Sequence, residues 1–408
     1  MQLKRVVITG YGAISPYGRG ITPMMEGLYR GTSAVRQVEE LGQVQGMRPR
    51  VAGLVSGVDP KVIPRKHRRS MSAMSIFATL ACQEALQQAG VNPDNEQGNL
   101  GICFGSTVGS TQATEAFFKD YFRDHSLERM KSTVFFQIMN HSCAANVAQT
   151  LDITGRIMAP SAACSTGCQA VGYGYEQVAL GKQTMLLCGG ADEFHPLTAA
   201  TFDVMHAAST AFNECPHATP RPFDLKRDGM VCAEGAGALL IESLESAEAR
   251  GATIIAEISG FATVSDPSNI ANPNSAAMER CMRETLKDAQ LAPEEISYVN
   301  AHATATAQGD IAESEAIYNI FGSETPVSSL KGHMGHTMAA SGALELIASL
   351  EMLRRGELVP TLNLEEVDPA CSPLQFLRSV TPRQVKAIMK NNFALGGVNS
   401  SLVVRSIS

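Results

Sequence analysis

The sequence predicts an α/β protein built from two similar halves packed as a sheet sandwich. Three observations lead there. An apolar run entering a loop of small residues, Ile8-Thr9-Gly10-Tyr11-Gly12-Ala13-Ile14-Ser15-Pro16, returns in pattern as Ile258-Ser259-Gly260-Phe261-Ala262-Thr263-Val264-Ser265-Asp266. In both halves strand-like runs alternate with helix-like ones, as sheets covered by helices require. Finally, 408 residues with 44% hydrophobic content and 35 glycines can bury a core too large for one ordinary domain.

Along the chain, the first strand is followed by a dense basic cluster, Lys61, Arg65, Lys66, His67, Arg68 and Arg69, in a sequence whose net charge is -7. The overall charge argues against a nucleic-acid binder, and the cluster is either a solvated approach to a helix or a dock for an acidic partner. Ile102-Cys103-Phe104-Gly105-Ser106 reads as a strand ending in small polar residues. Met158 to Gly167 is irregular and small, and passes into a helix-like run from about Ser165 to Leu180. The strand-like Ala236 to Ile241 closes the first half, with the seam between Glu245 and Ala256, so the halves are 1–250 and 251–408. In the second half Tyr298-Val299-Asn300-Ala301-His302 and Pro326-Val327-Ser328-Ser329-Leu330 read as strand ends, and Ala339 to Arg354 as a helix. No apolar stretch is long and unbroken enough to span a bilayer.

Cys164 stands where the irregular stretch meets the helix, so unpaired backbone N–H groups and the positive end of the helix dipole are expected to favour its thiolate. The other nine cysteines fit a packing role, several lying inside apolar runs such as Met185-Leu186-Leu187-Cys188. No pair has CxxC spacing, so no metal site is expected, and ten free thiols point to a reducing, cytoplasmic setting. His302 follows a strand end, where α/β proteins place chemistry. Lys331 and His336 flank the start of the Ala339 helix, whose dipole favours a neutral imidazole at His336. The remaining histidines, His333 among them, read as surface or hydrogen-bonded core residues.

These segments together resemble the elongating β-ketoacyl-acyl carrier protein synthases, the family of fatty-acid condensing enzymes and polyketide ketosynthases, from Val6 to Val404. The nucleophile motif matches at Cys164, the first catalytic histidine at His302, the lysine-to-histidine motif at Lys331 and His336, and the closing glycine loop at Asn392-Phe393-Ala394-Leu395-Gly396-Gly397-Val398-Asn399. The resemblance implies a thiolase-like fold, two βαβαβαββ halves in an αβαβα sandwich, and normally a dimer of identical or related chains. It implies 3-oxoacyl-acyl carrier protein synthase activity, a decarboxylative Claisen condensation of a malonyl thioester with an acyl group on Cys164. Acyl carrier protein is then the partner, and its phosphopantetheine arm carries the substrates, so no resident cofactor is expected. By residue, the family pattern gives Glu313, eleven positions after His302, as the support of Lys331. Asp310 fills a neighbouring acidic position and Glu345 a further one. Thr304 and Thr306 are expected to hold the arm and Val108 to line the acyl pocket. The N–H groups of Cys164 and Leu395 are expected to form the oxyanion hole, with Leu395 and Phe393 at the gate.

Three departures point toward a specialised member. Leu395 replaces the usual Phe gate, Ala303 the usual Gly, and Ser209-Thr210-Ala211-Phe212 lacks an Arg that many relatives use to meet the carrier. The alternatives are therefore a polyketide or polyene ketosynthase paired with a chain-length-factor-like subunit, or a non-catalytic partner subunit. Such partners typically lack the cysteine. A thiolase would need a second cysteine in the closing loop, and a cysteine hydrolase leaves Lys331 and the second histidine unexplained.

Overall fold

The computed structural model describes residues 3–407. Strand β1 (Val6–Ser15) is buried along its whole length, as its continuous apolar and glycine content demands of a strand covered on both faces. The first half continues with β2 (Leu100–Gly105), β3 (Ile157–Met158), β4 (Met185–Asp192) and β5 (Gly235–Ser243). The second half holds β6 (Ala256–Ser265), β7 (Tyr298–Asn300), β8 (Pro326–Ser328), β9 (Gln375–Phe376), β10 (Ala387–Ala394) and β11 (Val398–Arg405).

Hydrogen bonding orders these strands β3-β2-β4-β5-β1 and then β6-β11-β10-β7-β8-β9. Both series follow one rule. The first strand of each half pairs antiparallel with the last, and the last antiparallel with the one before it. That strand pairs parallel with the second strand of its half, and the second parallel with the third. β1 and β6 themselves pair antiparallel, Val6 opposite Ile258 and Ile8 opposite Ala256. The echoed segments of the sequence are thus the leading strands of the two halves, and they are neighbours.

Helices complete an αβαβα sandwich. Helix α1 (Ala73–Ala89) covers the outer face of the first series, where Phe77, Ala81 and Ala85 pack on Ile102, Leu187 and Leu240. Beyond it on this side lie α2 (Thr111–Asp124) and α3 (Ser132–Ile138). The central layer is α4 (Thr166–Ala179) and α8 (Ser341–Arg355), and the other outer layer is α5 (Ser275–Ala289) with α6 (Ala307–Phe321). The one-turn helix α7 (Lys331–Met334) precedes α8. Glycine lets the two central helices touch at their starts. A Cβ at Gly342 would lie 2.3 Å from the Cys168 backbone nitrogen, and one at Gly167 would lie 2.5 Å from the Ala339 carbonyl oxygen. Both helices therefore begin at one point, where the chain's polar candidates converge. No described helix is long and apolar enough to cross a membrane.

Candidate active site

Cys164 sits on a 3-10 turn, Ala163–Ser165, immediately before α4. Ala163 adopts φ 46°, a left-handed conformation that is unfavourable for a residue with a Cβ. The second half holds the turn in place. Ser165 Oγ donates to the carbonyls of Asn392 (2.9 Å) and Val398 (2.8 Å), while the Cys164 carbonyl accepts from Asn392 Nδ2 (3.0 Å) and Ser341 Oγ (3.3 Å).

His302 follows β7, and its backbone N–H and that of Ala303 donate to the two oxygens of Glu313 on α6, at 2.8 and 2.6 Å. His336 follows α7, with its N–H on the Val231 carbonyl at 2.8 Å. The two imidazoles stand edge to face, centroids 5.2 Å apart, and the ligand atoms of Cys164, His302 and His336 all lie within 4.8 Å of one another. His302 Nδ1 and both ring nitrogens of His336 are buried without a hydrogen-bond partner. Burial, reinforced by the Lys331 and Lys390 ammonium groups, holds both histidines well below the ordinary range, so both are neutral.

Two expectations are corrected here. Cys164 is not poised as a thiolate: burial pushes its thiol up to about 12, against the opposing pull of Lys331 and of the Cys164 and Leu395 N–H groups. Desolvation of the anion outweighs what the helix start supplies. Lys331, in turn, does not pair with Glu313. Its Nζ lies 2.7 Å from Glu345 Oε1, both side chains fully buried, while the Glu313 oxygens face the backbone of His302 and Ala303. Burial lowers the Lys331 pKa, and Glu345 opposes that fall.

Asp310 accepts from the N–H groups of Phe223 (2.7 Å) and Ala305 (3.1 Å), and burial raises its carboxyl to about 7. It fastens the loop that carries Thr304 and Thr306, whose hydroxyls are 3.2 Å apart. Both threonines, with Met205, Met230 and Phe393, line a channel of about 110 Å³ that ends on Cys164, His302 and His336. On the other side of Cys164 lies a second, largely apolar cavity of about 390 Å³ lined by Val108, Leu197, Phe202 and Met338. Cys164 and Leu395 border both spaces. The Leu395 N–H and that of Cys164 face the sulfur.

Sequence reasoning missed three groups. Asp192, at the end of β4, accepts from Thr107 and Ala339 N–H groups (3.0 and 2.8 Å) and borders the second cavity; its strand-end position was the available signal. Asn392 opens the closing glycine loop of the family pattern, which gives no sign of its hold on the Cys164 carbonyl. Lys390 follows the apolar start of β10, Ala387-Ile388-Met389, inside a fully buried strand, a position that demands a buried partner. His333, on α7, is also corrected: it is buried and neither ring nitrogen has a hydrogen-bond partner. Of the nine other cysteines, only Cys215 is exposed.

Family models then match both halves: "Beta-ketoacyl synthase, N-terminal domain" over residues 3–247 and "Beta-ketoacyl synthase, C-terminal domain" over residues 255–365. The chain belongs to the beta-ketoacyl synthase family. This beta-ketoacyl synthase is 36% identical to 3-oxoacyl-[acyl-carrier-protein] synthase 1 of Escherichia coli (strain K12), over 99% of this chain and 100% of that one. The crystal structure of a beta-ketoacyl synthase from Burkholderia phymatum superposes with a TM-score of 0.96 at 43% identity, covering 99% of this chain and 100% of the other. The ishigamide ketosynthase/chain length factor superposes with a TM-score of 0.92 at 29% identity, over 100% of both chains. The thiolase-like architecture is thus common to this beta-ketoacyl synthase and its structural neighbours.

Proposed function

We propose that the chain is a 3-oxoacyl-[acyl-carrier-protein] synthase that extends a Cys164-bound acyl group by two carbons. The observation that carries this reading is the convergence of one buried thiol and two neutral imidazoles within 4.8 Å, with the thiol bordering both cavities. The channel lined by Thr304 and Thr306 suits the carrier's phosphopantetheine arm, and the apolar cavity suits the acyl chain.

In the first step the Cys164 sulfur attacks the acyl thioester, its proton passing to a neutral imidazole and on to the departing carrier thiolate. The Cys164 and Leu395 N–H groups stabilise the tetrahedral oxyanion. In the second, the malonyl carboxylate leaves as CO₂ and its electron pair collects as an enolate on the thioester oxygen, which accepts hydrogen bonds from His302 and His336. The enolate carbon attacks the Cys164 thioester, the C–S bond breaks, and the departing sulfur takes up a proton from solvent water. Lys331 acts through its field, anchored by Glu345.

A specialised pathway and a paired assembly belong to the same reading. The Leu395 gate and the likeness to a ketosynthase/chain length factor support a polyketide-type or polyene-type member. The short edge strand β3 and the aromatic face of α2 and α3, where Phe118, Phe122 and Phe135 are exposed, suit a second identical or related chain. The basic cluster around Lys61 to Arg69 suits an acidic carrier protein. In the deciding experiment the purified protein receives acyl-loaded and then malonyl-loaded carrier, and its intact mass is followed. Acylation at Cys164 and a 3-oxoacyl product are expected; no acylation by any primer sinks the reading.

A further inference from the structure

Lys390 lies in the middle of β10 and is fully buried. Its Nζ is 2.9 Å from Glu345 Oε2 and also donates to the Asn391 carbonyl, while Lys331 Nζ takes the other oxygen of the same carboxylate at 2.7 Å. One glutamate thus serves two lysines, and all three side chains are at 0% exposure. A lysine is costly in such a place, and methionine would fill the position without that cost.

The neighbouring charges show what the second ammonium does. Lys331 arrives on α7, Glu345 on α8 and Lys390 on β10, while Glu313 on α6 presents a second carboxylate to the backbone of His302. Cys164, Cys168 and Cys281 also lie nearby, and burial keeps their thiols protonated. Tyr298 on β7 faces Glu345, and burial keeps its hydroxyl protonated as well. With both lysines the wall behind the two imidazoles carries two cations against two carboxylates. With Lys331 alone it would carry a net negative charge in a low-dielectric interior, and that charge would draw a proton onto an imidazole.

We propose that Lys390 is a positioning residue for the condensation: by sharing Glu345 with Lys331, it balances the second carboxylate and preserves His302 and His336 as a neutral pair able to hydrogen-bond the malonyl thioester oxygen. This rests on the condensing role assigned above. The lysine never touches substrate and acts through the field at the two rings.

The test is the pH profile of CO₂ release from malonyl-loaded carrier protein by the full-length wild type and by K390M, with melting temperatures recorded for both. For K390M the acid limb moves to higher pH by about one unit, since a tenfold easier protonation is the signature of one lost nearby charge. On that limb, which lies below the ordinary imidazole range, its rate falls about tenfold, in kcat more than in KM, and it returns to within about threefold of wild type once the pH is above the limb. If methionine prevents folding, K390Q, which keeps a hydrogen-bond donor without the charge, carries the same expectation. A profile parallel to wild type, whether equal or lowered evenly at every pH, overturns the proposal and leaves Lys390 a packing residue. A wild type that releases no CO₂ and accepts no acyl group instead overturns the condensing role itself, and this inference with it.

Discussion

At the scale of single residues, the competition between burial and charge decides how Cys164 behaves. Its position before α4 is legible in the sequence, but the depth of its burial is not, because the walls come from β10, α8 and the loop after β7. With the thiol raised to about 12 by burial, the thiolate fraction should rise close to tenfold per pH unit across the neutral and mildly alkaline range. Alkylation of Cys164 by iodoacetamide should therefore be slow at pH 7 and climb steeply toward pH 10. A rate already level at pH 7 would show a pre-formed thiolate and contradict the burial argument. Replacing His302 or His336 with alanine removes one of two donors to the enolate and should lower malonyl decarboxylation by about 10²–10³-fold, the usual cost of an oxyanion donor. Acylation of Cys164 should suffer less in whichever variant retains the proton acceptor, so measuring the two half-reactions separately assigns the roles. The exchange of Glu313 for Glu345 as partner of Lys331 was hidden for a related reason: spacing along a chain identifies acidic residues but not which helix turns its carboxylate toward which cation.

At the scale of elements, the strand and helix assignments follow from patterns that survive folding. β1 is an apolar run with small residues because both its faces are covered, β6 repeats that pattern with its start buried, and Ala339 to Arg354 reads as a helix because it is one, beginning at Ser341. The meeting of α4 and α8 was less legible, since glycine in a helix marks a close approach only once the neighbour is known. Gly342→Ala would place a Cβ 2.3 Å from the Cys168 backbone nitrogen. Backbone cannot swing aside as a flexible side chain can. The substitution should cost about 1–3 kcal/mol of stability, as overpacking typically does, and should also displace the Cys164 turn. Denaturant unfolding would register the first effect and a reduced acylation rate the second. Unchanged stability would mean that the central layer is looser than these contacts indicate.

For the whole molecule, the repeated strand order explains the short echo in the sequence: the two echoed strands lead the two series and pair with each other. What the sequence left open is the surface. On α2 Phe122 is 64% exposed, and Ile157 on the edge strand is 52% exposed. Aspartate at both positions should convert a paired assembly to a single chain in sedimentation while leaving the melting temperature nearly unchanged, because neither side chain supports the core. Persistence of the pair would place the interface elsewhere.

The clamps on Cys164 also carry a consequence for biosynthesis. Ser165 is tied to Asn392 and Val398, and the Cys164 carbonyl to Asn392 and Ser341, so the nucleophile's turn takes shape only when the last two strands are in place. Those strands lie more than 200 residues after Cys164, so they leave the ribosome well after it. The nascent protein would carry its cysteine through the synthesis of those intervening residues without the geometry that makes it reactive, and acquire chemistry only once the two strands join the sheet. Order of manufacture thereby acts as a safety catch, keeping an unfinished enzyme from seizing acyl groups it could not pass on.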